Sequence, residues 1–263
     1  MLDQSFLLVA RIPAGEFLMG AEDGEEDERP AHRAYIDEFS IGVHPVTNAE
    51  YAQFVRETGH PSPAVRALPL MVPGALEDDF HALAAAYLWS NGTPPEGRER
   101  HPVTLVGFDD ATTYCGWLAS KSDKPVRLPT EAEWEKAARG GLDGKYFPWG
   151  DTLDPSYAHF LPHAGVKAER GTAEVGSYPP NGFHLHDMAG NVWEWVSDWY
   201  APDYYARAQY LNPQGPEAGL MRIIRGGAWV NAEDRYLRCA YRHKVPPDSY
   251  AYSIGFRIAY SLR

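Results

Sequence analysis

The stretch Asn181-Gly-Phe-His-Leu-His-Asp-Met-Ala-Gly-Asn-Val-Trp-Glu-Trp-Val-Ser-Asp-Trp-Tyr200 limits the possible folds more than any other part of the chain. It concentrates Trp193, Trp195 and Trp199 in a sequence with eight tryptophans. The i, i+2 spacing of Trp193 and Trp195 sends both rings to one face of an extended segment, and rings of that size need a core to enter. Asp187 and Glu194 bracket the bend around Gly190. Carboxylate oxygens together with backbone carbonyls suit a hard cation such as calcium. The plainer reading is that both acids cap turns.

Length and charge narrow the classes. With 263 residues, 44% of them apolar, the chain suffices for one large domain or two small ones. A net charge of −12 offers no basic excess to neutralise phosphates, so nucleic-acid binding is excluded. Part of that acidity lies in Glu22, Asp23, Glu25, Glu26, Asp27 and Glu28, which reads as a solvated loop. No apolar run is long enough to span a membrane. The segment from Met1 to Ala10 lacks a basic region ahead of a long apolar core, so the expectation is a cytoplasmic protein, and a monomer. Cys115 and Cys239 are too few for a disulfide framework and read as buried thiols.

Read in order, Phe6 to Pro13 and Phe17 to Gly20 form short strands, and Ala34 to Gly42 alternates like a half-buried one. Thr47 or Asn48 caps a helix over Ala49 to Thr58. Residues 60–100 carry prolines, glycines and acids with little periodicity and read as a peripheral insertion. His101 to Asp109 returns to strand, and Asp109 or Asp110 caps a helix through Ala119. The clearest helix follows: Thr130 as N-cap, Glu133 closing a capping box and Gly140 as C-cap.

These blocks occur in a definite order. Ile12-Pro-Ala-Gly-Glu-Phe-Leu-Met-Gly20, Pro45-Val-Thr-Asn48, His101-Pro-Val103, Arg127-Leu-Pro-Thr-Glu-Ala-Glu-Trp134, Phe147-Pro-Trp-Gly150, Gly190-Asn-Val-Trp-Glu-Trp195, Arg225-Gly-Gly227 and Gly255-Phe-Arg257 make the chain resemble the formylglycine-generating enzyme, or sulfatase-modifying factor, superfamily. The resemblance covers nearly the whole length. It implies an α+β, C-type-lectin-like single domain over residues 1–263, low in regular structure. It further implies a structural calcium held by Asp187, Glu194 and the carbonyls of Gly190 and Val192.

Fold does not settle function. In formylglycine synthases a cysteine pair after the Arg-Gly-Gly block binds copper. Here the first position falls on Asn231 and the second within Ala232 to Asp234, where there is no sulfur. Copper(I) needs thiolates, so neither copper nor formylglycine synthesis is expected. By the same resemblance Cys239 matches a structural cysteine whose usual partner falls near Ala138, and the usual partner of Cys115 falls near Ile258. A non-heme iron site from His184, His186, His159 or His163 with Asp187 is conceivable on residue types, with packed or exposed histidines as the plainer alternative.

Residues 228–259 are rich in Tyr, Ser, Asn and Asp, the composition of adaptable binding surfaces. They resemble the hypervariable segment of diversity-generating retroelement variable proteins. The expectation is a ligand-binding protein, not an enzyme, that meets a macromolecular partner, a protein, through Trp229, Asn231, Asp234, Tyr236, His243, Tyr250 and Tyr252. The alternative is an iron- or copper-dependent oxidoreductase of the same superfamily.

Overall fold

Frequent glycine, proline and aromatic residues leave few long regular segments. In a computed structural model, residues 7–65, 76–161 and 171–262 are described, and they form a mixed α and β architecture. The central sheet has the order β7 (His243–Val245), β6 (Arg222–Arg225), β5 (Trp193–Trp199), β8 (Ile254–Phe256). Strand β5 pairs antiparallel with β6 and parallel with β8, so the tryptophan stretch lies inside this sheet. Alternation along β5 divides the core. Trp193 and Trp195 join Ile224, Phe256 and the apolar faces of α1 (Asn48–Thr58) and α3 (Phe108–Ser122). Val196 and Ile223 join Trp134, Ala137 and Ala138 of α4 (Glu131–Arg139) in a second cluster. The shared face expected for the two tryptophans is present.

A second sheet has the order β1 (Val9–Ile12), β4 (Phe39–Gly42), β9 (Ala259–Ser261), and β2 (Gly15–Met19) pairs with β3 (His32–Ile36) as a separate ribbon. The single strand expected over Ala34 to Gly42 is thus broken into two that serve different sheets. At the corner the Asp37 N–H donates to Asn212 Oδ1 at 2.8 Å, which satisfies a backbone group that leaves the ladder. His101 to Asp109 is no strand either. Val103 N–H donates to Val46 at 2.8 Å and Leu105 N–H to Ala251 at 3.0 Å, so loop carbonyls replace a regular partner.

Helices α1 and α4 follow their capping signals closely. Thr47 caps α1, with the Glu50 N–H donating to Thr47 Oγ1 at 3.3 Å and the Thr47 N–H to Glu50 Oε2 at 2.7 Å. In α4 Thr130, Glu133 and Gly140 take the expected cap positions. Helix α3 is not capped by Asp109 or Asp110: it starts at Phe108 with Gly107 as N-cap, whose N–H donates to Asp110 Oδ2 at 2.9 Å, runs on to Ser122, beyond the Ala119 expected, and ends at left-handed Asp123.

Two expectations need correction. Residues 60–100 are more than a peripheral insertion: α2 (Leu76–Ala84) and the 3₁₀ turn Ala85–Tyr87 send Phe80, Ala84 and Tyr87 into a cluster with Leu105, Trp229 and Tyr250. The acidic loop is also tied down, since Asp27 and Glu28 are buried. Among the described residues no helix is long and apolar enough to cross a membrane.

Candidate functional site

Strand β6 ends at Arg225, and the chain then turns through Gly226 and Gly227, both with positive φ. A side chain at 227 would meet Leu237 Cδ2 and the Tyr236 carbonyl at 2.8 Å, so only glycine fits this crossing. The turn delivers Ala228 to Asn231. There the Ala228 N–H donates to Asn231 Oδ1 at 2.7 Å and the Asn231 N–H to the Ala228 carbonyl at 2.9 Å. Asn231 therefore holds its own loop closed at the position where the resemblance puts a copper-binding thiol.

Cys115 packs with Ile258 in the cluster beside α3, and Cys239 packs with Ala138 in the cluster beside α4, each among the residues where its usual partner falls. Both are free and buried. Burial pushes the Cys239 thiol up to about 12 and the Cys115 thiol further still. A protonated, enclosed thiol is a small hydrophobe and no metal ligand.

The predicted contact residues divide into two groups. Asn231, Tyr236, His243 and Tyr252 are half-buried and Asp234 is exposed. Trp229 and Tyr250, expected at the surface, are instead each only 7% exposed, within the cluster that contains Phe80 and Ala84 of α2. Tyr252 roofs that cluster, with its ring 5.3 Å from Phe80, 5.8 Å from Trp229 and 6.1 Å from Tyr87. The indole N–H of Trp229 has no hydrogen-bond partner among the described residues.

A second aromatic group stands at the edge of the central sheet. Trp193 stacks on His243 at 5.0 Å and meets Tyr241 at 6.0 Å and Tyr236 at 6.1 Å. Tyr236 and Tyr241 touch edge to face at 5.1 Å, and the Arg235 guanidinium lies 4.9 Å over Tyr236. The rings fill one another's gaps and form a wall, not a cup. Burial pulls the His243 imidazole down, so it is held neutral, and pushes the Tyr241 phenol up to about 12. Tyr241 and Arg235 were missed by sequence reasoning. The i, i+2 spacing of Tyr241 and His243 entering β7 is the signal that pairs them with Trp193.

The bend expected to hold calcium has left-handed Asp187, Gly190 and Asn191. Asp187 is buried, and burial first of all pushes its carboxyl up. Its Oδ2 accepts from the Gly176 N–H at 2.9 Å, while Oδ1 has only Asn191 Nδ2 at 3.4 Å among the described residues. That under-bonded oxygen fits a cation. Glu194 is engaged differently. Arg257 Nε and Nη2 donate to its two oxygens at 2.6 and 2.7 Å, and Trp134 Nε1 adds a bond at 2.8 Å. A calcium ion there would share Glu194 with a guanidinium, leaving Asp187 and the carbonyls of Gly190 and Val192 as the remaining donors.

Among the described residues, His184, His186 and His159 do not assemble around Asp187 as a metal group. His184 is exposed, His186 Nδ1 donates to the Tyr178 carbonyl at 2.8 Å, and His159 Nε2 donates to Gly171 at 2.7 Å. His163 lies outside the described residues. Among those described, no three His, Cys, Asp or Glu stand together as a metal group.

Residues 6–262 match the family described as sulfatase-modifying factor enzyme 1-like domain. A formylglycine-generating enzyme of Streptomyces coelicolor is 41% identical over 283 residues, covering 95% of this chain and 88% of that protein. The structure of PvdO from Pseudomonas aeruginosa superposes with a TM-score of 0.78 at 28% identity, over 97% of this chain and 94% of the other. Variable protein 1 of Treponema denticola shares the fold, with a TM-score of 0.74 at 24% identity over 96% and 94% of the two chains.

Proposed function

The chain belongs to the sulfatase-modifying factor enzyme 1-like family, and from that premise we propose that it is a binding protein that keeps the scaffold without the copper thiols. The observation that carries this reading is Asn231: its amide oxygen is committed to the Ala228 N–H, and both cysteines of the chain are enclosed elsewhere. A thiolate pair cannot form at this loop without a sulfur atom in it. What the loop and β7 offer instead is an aromatic wall of Tyr236, Tyr241 and His243 backed by buried Trp193. Closely packed rings with polar edges suit an extended segment of another protein, because tyrosine and tryptophan give contact area at small entropy cost.

The test has two arms. Copper(I) titration gives no thiolate charge-transfer band and a cysteine-containing sulfatase peptide stays unoxidised by mass spectrometry. A photo-crosslinker placed at Tyr236 captures a protein partner that one at exposed Tyr157 does not. Bound iron or copper together with oxygen uptake on a thiol substrate would overturn the reading in favour of the oxidoreductase.

In the variable-protein form of this proposal, substitutions fall on Asn231, Asp234, Tyr236, His243 and Tyr252, while Trp229 and Tyr250 stay fixed because they are core. A reverse transcriptase gene and an adenine-mismatched near-copy of this segment beside the gene would accompany it; variation spread evenly over buried and exposed positions would refute it. A structural calcium on Asp187 and the Gly190 and Val192 carbonyls belongs to the same proposal.

A further inference from the structure

The acidic loop has a use that its composition alone does not reveal. Its residues Glu25, Glu26 and Asp27 form one wall of a cleft of about 610 Å³ whose other walls include Tyr200, Asp203, Arg235, Tyr241 and Lys244. That volume lies within the range of roughly 300–1,000 Å³ that encloses small molecules. The walls are fixed. Tyr200 Oη donates to Asp27 Oδ2 at 2.6 Å, and Lys244 Nζ donates to Asp27 Oδ2 and to Tyr200 Oη at 3.1 Å each. Arg242 runs beneath, donating to the Asp27 carbonyl at 2.8 Å and to both oxygens of Glu131.

Both signs of charge remain available at the opening. Lys244 has three N–H donors, of which Asp27 and Tyr200 take two, and its side chain is 48% exposed. Arg235 spends N–H groups on Glu25, Glu233 and Tyr236 and keeps others free. The exposed Glu26 carboxylate has no partner among the described residues, and Asp203 pairs with Arg207, outside the cleft. A purely anionic ligand would meet Glu26, and a purely cationic one Lys244 and Arg235. A molecule with one charge of each sign satisfies both sides, and Tyr200 and Tyr241 supply apolar surface between them.

We propose that this cleft binds a zwitterionic small molecule of amino-acid to dipeptide size, its carboxylate toward Lys244 and Arg235 and its ammonium toward Glu26. The site shares Tyr241 and Arg235 with the aromatic wall but does not depend on the partner proposed there.

Titration calorimetry with the whole chain tests it, using the dipeptide Ala-Phe, its N-acetyl form and its C-terminal amide. Ala-Phe binds, and blocking either end weakens binding at least about tenfold, the loss expected for one charge-assisted hydrogen bond. Glu26→Gln, at an exposed side chain, abolishes the preference for the free ammonium and leaves the melting temperature unchanged. Lys244→Met abolishes the preference for the free carboxylate. No binding of Ala-Phe, equal binding of the blocked forms, or undiminished discrimination by Glu26→Gln overturns the proposal. Crosslinking from Tyr236 proceeds alike in all these outcomes, so a failure here is separable from a failure of the partner surface.

Discussion

The two thiols illustrate how little a cysteine count says until burial is known. Because burial holds Cys115 and Cys239 protonated, a disulfide reagent such as Ellman's at pH 8 should leave both unmodified in the folded protein and titrate both in denaturant. Rapid labelling of either in the native state would contradict the packing described. Asp198 offers a second measurement. Burial, followed by the neighbouring Glu131 carboxylate, pushes its carboxyl up to about 7, whereas an unfolded aspartate titrates near about 3.9. The folded value lies above the unfolded one, so this group's contribution is complete below about pH 4 and is lost as the pH rises to about 7. Asp198→Asn keeps an oxygen for the Glu131 N–H and the Ser197 hydroxyl. It should raise stability at pH 8 by roughly 2–4 kcal/mol, since each tenfold change in proton affinity is worth about 1.4 kcal/mol, and change nothing at pH 4. Denaturant melts at the two pH values decide; equal effects would remove Asp198 as the titrating group.

Elements whose signals are local were readable in advance, and those made by distant partners were not. The caps of α1 and α4 are written in four consecutive residues each, so Thr130 with Glu133 announced itself and Thr47 stood as one of two candidates, with Glu50 as the partner that decides for it. Tyr236 and His243 lie half-buried, as a polar, aromatic segment leads one to expect. Trp229 and Tyr250 do not, since what buries them is α2, well over a hundred residues earlier in the chain. The same separation hid Asp27, whose partners Tyr200 and Lys244 lie far along the sequence. If α2 belongs to the core, Phe80→Ala should cost about 3 kcal/mol or more and loosen Tyr252, which sits 5.3 Å from the Phe80 ring. Removal of a merely decorative insertion would shift the urea midpoint by almost nothing, and that result would return residues 60–100 to the periphery.

At the scale of the molecule, the cation at the Asp187 bend is tested by removing it. Metal that binds only the folded state adds to its stability, so dialysis against EDTA should lower the melting temperature and calcium should restore it. An unchanged melting temperature would leave Arg257 as the cation that serves this bend, through Glu194. The sheet that joins β1, β4 and β9 carries a different consequence. Ile41 of β4 pairs with Ala10 on one side and with Ala259 on the other, so the two outer strands of a three-stranded sheet are far apart in the sequence. During synthesis β1 and β4 are made long before β9, so one edge of β4 stays unpaired until residues 259–261 have been added. Exposed edges of that kind template wrong pairing, and long-range contacts form slowly. A synthesis arrested before residue 259 should therefore yield a protease-sensitive, chaperone-bound chain, while one extended past β9 gives the resistant form.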